Sequence, residues 1–373
     1  MANKALSSLI IQLLQRPEIG TEITEKDWES IIFILRHLGM LATLYYLAQK
    51  TGTFNQYPTY AKKNLKSGMV YADRQAQQVK YEAYEIKFTL GKEVIEPIFL
   101  KGAGYTLRKS LNSYGRVYSD LDILVPKNEL EDAAKILNKH GWLNKALTDH
   151  DEKYYREWAH EIPPMSHYTR NTTIDVHHNI IPPVTGRAPK IDILLKQVER
   201  TSDNYLVLTA PAAFLHSAIH LFTNEEFHNG FRDIVDLYLL AQEYQSKLFW
   251  QQLDQLAQET RFSLELFYSL AMLAHFFDIK PPSDLLSRLH NEHKSWRSKL
   301  VIKCLKSALK PHHQQILSRK DHLLIFLLYL RGHWIKMPLP ILISHLSVKA
   351  FLGIRDKLFG KHQFDKELKI PHN

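Results

Sequence analysis

Residues 99–129 read FLKGAGYTLRKSLNSYGRVYSDLDILVPKNE, and within them Asp120 and Asp122 stand among Leu121, Ile123, Leu124 and Val125. The run VYSDLDILV is β-branched, alternating and stopped by Pro126, which is the pattern of a strand. Strand side chains alternate faces, so the two carboxylates share one face, about 7 Å apart, with Leu121 and Ile123 on the other. Two like charges held that way raise at least one pKa unless something cationic stands between them. A divalent ion resolves the conflict, because magnesium binds through one or two carboxylates and completes its octahedron with water and phosphate oxygens.

The neighbouring segments supply further parts. PIFLKG is a short apolar strand ended by Gly102, and AGYTLRKSLNSYG fits a helix closed by Gly115. The turn between them leaves the free N–H groups of a helix start available to phosphate. KNELEDAAKILNKHGW is an amphipathic helix with Asn128 as its cap and Gly141 beyond its end. HYTRNTTIDVHHNI reads as two strands around a turn near Asn171, and it brings Asp175 with His177 on the same face. The order β-α-β-α-β-β describes a small mixed sheet unit.

Helical patterns flank that unit. DWESIIFILRHLGMLATLYYLAQK carries apolar residues at three- and four-residue spacing with Gly52 as its stop, and a long polar helix follows. From Pro211 onward the pattern is helical again, including HLLIFLLYL at 322–330, which reads as a short buried helix. The expected class is α+β: an N-terminal helical region over 1–90, a mixed-sheet core over 91–205 and a C-terminal helical region over 206–373. The basic, aromatic-containing stretch from residue 331 reads as a packed terminal helix with a solvated basic face rather than as a membrane-surface segment.

At 373 residues, 45% hydrophobic and 23% charged, the chain has apolar content for a real core, which excludes disorder as its main state. The net charge of +9 points to anionic partners. Its lysines are dispersed rather than gathered into a groove with stacking aromatics, which argues against nucleic acid as the substrate. Cys304 is the single cysteine, so no internal disulfide forms and a reducing cytoplasm is the expected location. No uncharged apolar run approaches the roughly 20 residues a membrane span requires.

Taken in order, LKGAGY, GRVYSDLDILV, IDVHH, LHSAIHLF and FRDIVDL, preceded by the DWESII helix, resemble the uncharacterised nucleotidyltransferase family of the polymerase β-like superfamily, from about residue 25 to 260. The resemblance implies a metal-dependent enzyme that transfers a nucleoside monophosphate from an NTP to a hydroxyl or similar group on a small molecule or protein. Asp120 and Asp122 would hold Mg²⁺ (or Mn²⁺) and the triphosphate. Asp175 would complete a second metal site and help deprotonate the acceptor. Lys101, Gly102 and Ala103 would form the phosphate-facing turn, with Ala103 standing where the superfamily usually has serine. Arg116 would neutralise charge on the transferring phosphate or pair with an aspartate, and His177 would orient Asp175, contact the nucleotide, or stand as a hydrogen-bonded histidine of the sheet. The alternative is a module that keeps the fold for nucleotide or protein binding without catalysis.

Other residues carry plainer expectations. Arg108 reads as a solvated surface residue and His178 as structural. His216 and His220 have the spacing of a zinc pair but lack a third ligand, so they read as a helix face packed on the sheet unit. Arg232 and Asp233 read as an ion pair.

Overall fold

The aspartate strand is one of the two central members of a parallel pair, and the rest of the sheet grows outward from it. The computed structural model describes residues 2–144, 155 and 158–336. Its strands are β1 (Ile98–Phe99), β2 (Leu121–Leu124), β3 (Trp142–Asn144), β4 (Met165–His167), β5 (Thr173–His177), β6 (Val198–Arg200) and β7 (Leu206–Leu208). They form one mixed sheet in the order β3-β4-β5-β2-β1-β7-β6. β2 runs parallel to β5 and β1 parallel to β7, while the other neighbours are antiparallel. The class is α+β.

Helices precede, interrupt and follow the sheet: α1 (Ala2–Gln15), α2 (Glu25–His37), α3 (Leu41–Lys50), α4 (Thr59–Gly91), α5 (Lys101–Arg108), α6 (Leu130–Lys139), α7 (Ile191–Leu195), α8 (Ala210–Thr223), α9 (Gly230–Glu243), α10 (Lys247–Glu259), α11 (Ser263–Phe276), α12 (Ser283–His293), α13 (Trp296–Ala308) and α14 (Arg319–Lys336). The alternation along β2 sorts two cores. Leu121 and Ile123 pack under α4 and α6 with Val79, Ile86 and Leu137. Leu124 joins the larger core with Phe214 and Leu215 of α8. Helix α8 is buried on nearly every side because α9, α10 and α11 all pack against it. An apolar sequence with little amphipathicity, APAAFLHSAIHLFT, suits such a central position.

Several expectations are corrected. The strand around the aspartates is shorter than VYSDLDILV, and Asp120 lies just before it. The helix after the glycine turn ends at Arg108, where Lys109 takes a left-handed φ of 62°, and not at Gly115. Asn128 forms no side-chain cap and sits in a 3₁₀ turn ahead of α6. Strands β3, β6 and β7, three residues each, go beyond the expected β-α-β-α-β-β unit.

HLLIFLLYL is not a buried helix. Helix α14 runs from Arg319 to Lys336 and seats itself through Asp321, Leu328 and Gly332. Leu323 (60%) and Phe326 (52%) remain exposed on it. The stretch is apolar on all sides, but among the described residues it is buried only at Asp321, Leu328 and Gly332. Among the described residues no single helix is long and apolar enough to cross a membrane. Most of the basic C-terminal stretch, residues 337–373, lies outside the described residues.

Candidate active site

Strand β1 hands directly into α5. The Leu100 N–H donates to the Asp122 carbonyl (3.0 Å), which fixes the first turn of α5 beside the aspartate strand. The first N–H groups of a helix have no partner within it. Lys101 begins that helix with φ at 41°, and Gly102 follows. A Cβ on Gly102 would stand 2.9 Å from a Tyr118 ring carbon and 3.1 Å from Arg116 Nε, so only glycine lets these side chains close over the turn. The Ala103 side chain is buried with Phe99 and Leu107, and it is absent from the cleft lining. Of the three turn residues, Lys101 and Gly102 line the cleft and Ala103 does not.

On the sheet, Asp122 and Asp175 are register partners across the parallel β2–β5 ladder, and Leu124 pairs with His177. Their side chains therefore share a face. Asp122 is nearly buried, and its Oδ1 accepts from both Lys101 Nζ and His177 Nε2, each at 2.9 Å. Both bonds end on Oδ1, so Oδ2 is engaged by neither. Burial alone would raise the Asp122 pKa, but the Lys101 charge and the His177 bond hold it well below the usual carboxylate range. His177 therefore serves Asp122 and not Asp175.

Asp120 and Asp175 respond in the opposite sense. Burial, then the Asp122 charge, raises Asp120, which receives one bond from Ser119 Oγ (3.0 Å). Burial followed by the charges of Asp122, Glu161 and Asp120 pushes Asp175 up to about 7. Its Oδ1 is buried with no hydrogen-bond partner. An unsatisfied buried carboxylate oxygen beside two other carboxylates is the setting a cation completes. On that ground Asp120, Asp122 and Asp175 fit a divalent ion.

All three aspartates line one cleft of about 350 Å³. Lys101, Gly102, Arg116, His160, Glu161 and His177 also line it, and the facing wall comes from α8, α9 and α14 through His220, Asn224, Arg232 and Lys336. Lys336 is tied to Glu225. Among the described residues, the cluster whose ligand atoms all lie within 4.8 Å of one another is His160, Glu161 and His177, not the aspartates.

A family model described as an uncharacterised nucleotidyltransferase matches residues 24–278. The chain belongs to that family. No curated protein and no solved structure matches it. Membership supports a general nucleotidyl-transfer function and the class of transferase. The family's span contains every cleft residue named above except Lys336.

The remaining expectations resolve individually. Arg116 reaches the cleft, but its guanidinium is paired with Asp236 of α9 and lies over the Tyr105 ring (5.6 Å). The Asp236 charge, working against burial, keeps Arg116 protonated. It pairs with an acid, though with neither Asp120 nor Asp122. Arg232 is 3.7 Å from Asp233 Oδ1. Its Nη1 donates to the Val117 carbonyl at 3.5 Å, and with no close carboxylate like the Asp236 that holds Arg116 it is the less committed of the two cleft arginines. Arg108 is not solvated, because its side chain is 8% exposed and pairs with Glu199 of β6. His220 lines the cleft while His216 is buried, and burial with the nearby Lys101 charge lowers His216 to about 3. His178 is buried just beyond the end of β5.

Sequence reasoning missed Glu161 and His160. A single antiparallel bridge between Glu161 and His177 brings them to the site, with Ile162 N–H donating to the Val176 carbonyl at 3.0 Å. One bridge leaves no periodicity in AHEIPP. A carboxylate adjoining a histidine was the only signal available there.

Proposed function

We propose that this protein transfers a nucleoside monophosphate from an NTP to a hydroxyl or similar group on a small molecule or protein, with release of pyrophosphate. The observation that carries the reading is the level pairing of Asp122 and Asp175 across parallel strands beside the open N-terminus of α5. Nucleotidyl transfer needs acidic groups on one side of a triphosphate and hydrogen-bond donors on the other. The cleft offers both.

In this reading the triphosphate lies against the Lys101 ammonium and the free N–H groups of Lys101 and Gly102, where the helix end favours negative charge. Arg232 faces it from α9. The acceptor oxygen bonds to the α-phosphorus in line with the departing pyrophosphate oxygen, and that P–O bond breaks. Asp175 Oδ1, which lacks a partner, accepts a hydrogen bond from the acceptor hydroxyl, aims it, and takes its proton as the new P–O bond forms. Asp120, Asp122 and Asp175 would hold Mg²⁺ or Mn²⁺. When bound, such ions neutralise the triphosphate and lower the pKa of the acceptor.

The test uses α-labelled NTPs with Mg²⁺ or Mn²⁺ and a small-molecule or protein extract as acceptor source. Label transfer with pyrophosphate release is expected from the wild type, and only background from Asp122→Ala. Equal transfer by both would discard the assigned site. Metal-dependent NTP binding without transfer to any acceptor would favour a non-catalytic binding module.

A further inference from the structure

We infer that His160, Glu161 and His177 form a binding site for a divalent transition-metal ion on the wall of the cleft, separate from the three aspartates. One ligand atom from each residue lies within 4.8 Å of the other two. Glu161 Oε2 is 3.1 Å from His177 Nδ1 and 3.9 Å from His160 Nε2. Two ligands bound at about 2.1 Å stand about 3.0 Å apart on adjacent octahedral corners and about 3.4 Å apart on a tetrahedron. The Glu161–His177 spacing already suits a shared ion, the Glu161–His160 spacing exceeds the tetrahedral value by about half an ångström, and the third pair lies within 4.8 Å.

The surroundings of the set match those of a metal site. The His177 ring is fixed from behind by its Nε2 bond to Asp122 (2.9 Å), which leaves Nδ1 facing Glu161. A carboxylate behind a ligating histidine is the usual orienting partner. The backbones are also fixed, by the Glu161–His177 bridge and by the His178 N–H donating to the His160 carbonyl at 2.8 Å. His160 Nδ1 is buried and has no partner. All three residues line the cleft, so coordination positions not taken by protein open toward whatever binds there. Two imidazoles and one carboxylate select zinc, manganese, iron or cobalt over magnesium. The inference stands on these three side chains and does not depend on nucleotidyl transfer.

The experiment titrates the full metal-free chain with Co²⁺ and follows the visible d–d absorption. One equivalent is expected to produce the band. Glu161→Gln and His160→Gln should each weaken the affinity tenfold or more, while Asp120→Asn/Asp175→Asn keeps it. Unchanged far-UV circular dichroism in each variant separates lost ligation from lost folding, and either of the two ligand variants suffices if the other misfolds. No band in the wild type, or a band indifferent to both ligand variants, overturns the site and leaves a proton bridging His177 and Glu161. A band lost only in the aspartate double variant assigns the ion to the aspartates and overturns it equally. Loss of this site leaves the NTP assay with Asp122→Ala to be decided on its own result, so the two readings fail separately.

Discussion

Asp122 and Asp175 face the same cleft at the same level of a parallel ladder, yet their electrostatic states are opposite. Lys101 and His177 both serve Asp122, and nothing serves Asp175 Oδ1. One carboxylate is held ionised and its neighbour is driven toward protonation.

That asymmetry gives a pH dependence to the metal-free protein. With the Asp175 pKa at about 7 against 3.8 for the ordinary side chain, the folded state keeps a proton that the unfolded chain releases. Stability is therefore expected to fall as pH rises from about 4 to about 7 and then to level off. In chelator at pH 8, Asp175→Asn should be more stable than wild type by on the order of 1–2 kcal/mol, and the thermal gain from added Mn²⁺ should shrink. Thermal melts of both proteins with and without the ion would decide this. A less stable variant at pH 8 would contradict it.

Arg116 and Asp236 are a buried pair, and burial outweighs the Arg116 charge enough to push Asp236 up to about 6. Removing one partner strands the other charge, so Arg116→Ala should cost about 3–5 kcal/mol in urea unfolding. Arg116→Met/Asp236→Leu should recover much of that loss. A single variant as stable as wild type would show that the pair is solvated in solution.

Glu82 is fully buried on α4, and Arg170 grips both of its oxygens at 2.8 Å while Thr172 adds a third bond at 2.9 Å. This network fastens the β4–β5 turn to the long helix. Arg170→Ala is expected to cost about 3–5 kcal/mol, and a double-mutant cycle with Glu82→Gln should return a coupling above about 1 kcal/mol. Additive losses would remove the network from the account of stability.

Gly115 has φ of 75°, and a Cβ there would stand 2.3 Å from the Ala42 carbonyl carbon. Backbone cannot yield as a flexible side chain does. Gly115→Ala should destabilise by more than about 2 kcal/mol, seen as a lower urea midpoint, whereas Gly52→Ala, with open space around it, should cost less.

Arg232 tests the proposed cleft chemistry without disturbing the aspartates. A charge-assisted bond to phosphate is worth about 1.5–3 kcal/mol, so Arg232→Ala should weaken NTP binding roughly 10- to 100-fold in calorimetry, with the melting temperature little changed. Unaltered binding would leave Arg232 with its contacts to Asp233 and the Val117 carbonyl and no part in NTP binding.

Local patterning alone determined that a D-x-D strand follows a glycine turn, that Asp175 lies on a companion strand, and that helices bracket the sheet. Each of these is written within a few residues as alternation, a breaker or a 3.6-residue period. The family's motifs add their order to the same reading. What only the tertiary structure decided is who partners whom. Glu161 reaches His177 through one bridge, Asp236 arrives from a helix 120 residues beyond Arg116, and Glu82 meets Arg170 from 88 residues away. Charges find such partners when the chain collapses and water is excluded, because an unpaired ion becomes intolerable only once it is buried. Nor does a count of apolar residues foretell that, among the described residues, Leu323 and Phe326 of α14 stay exposed.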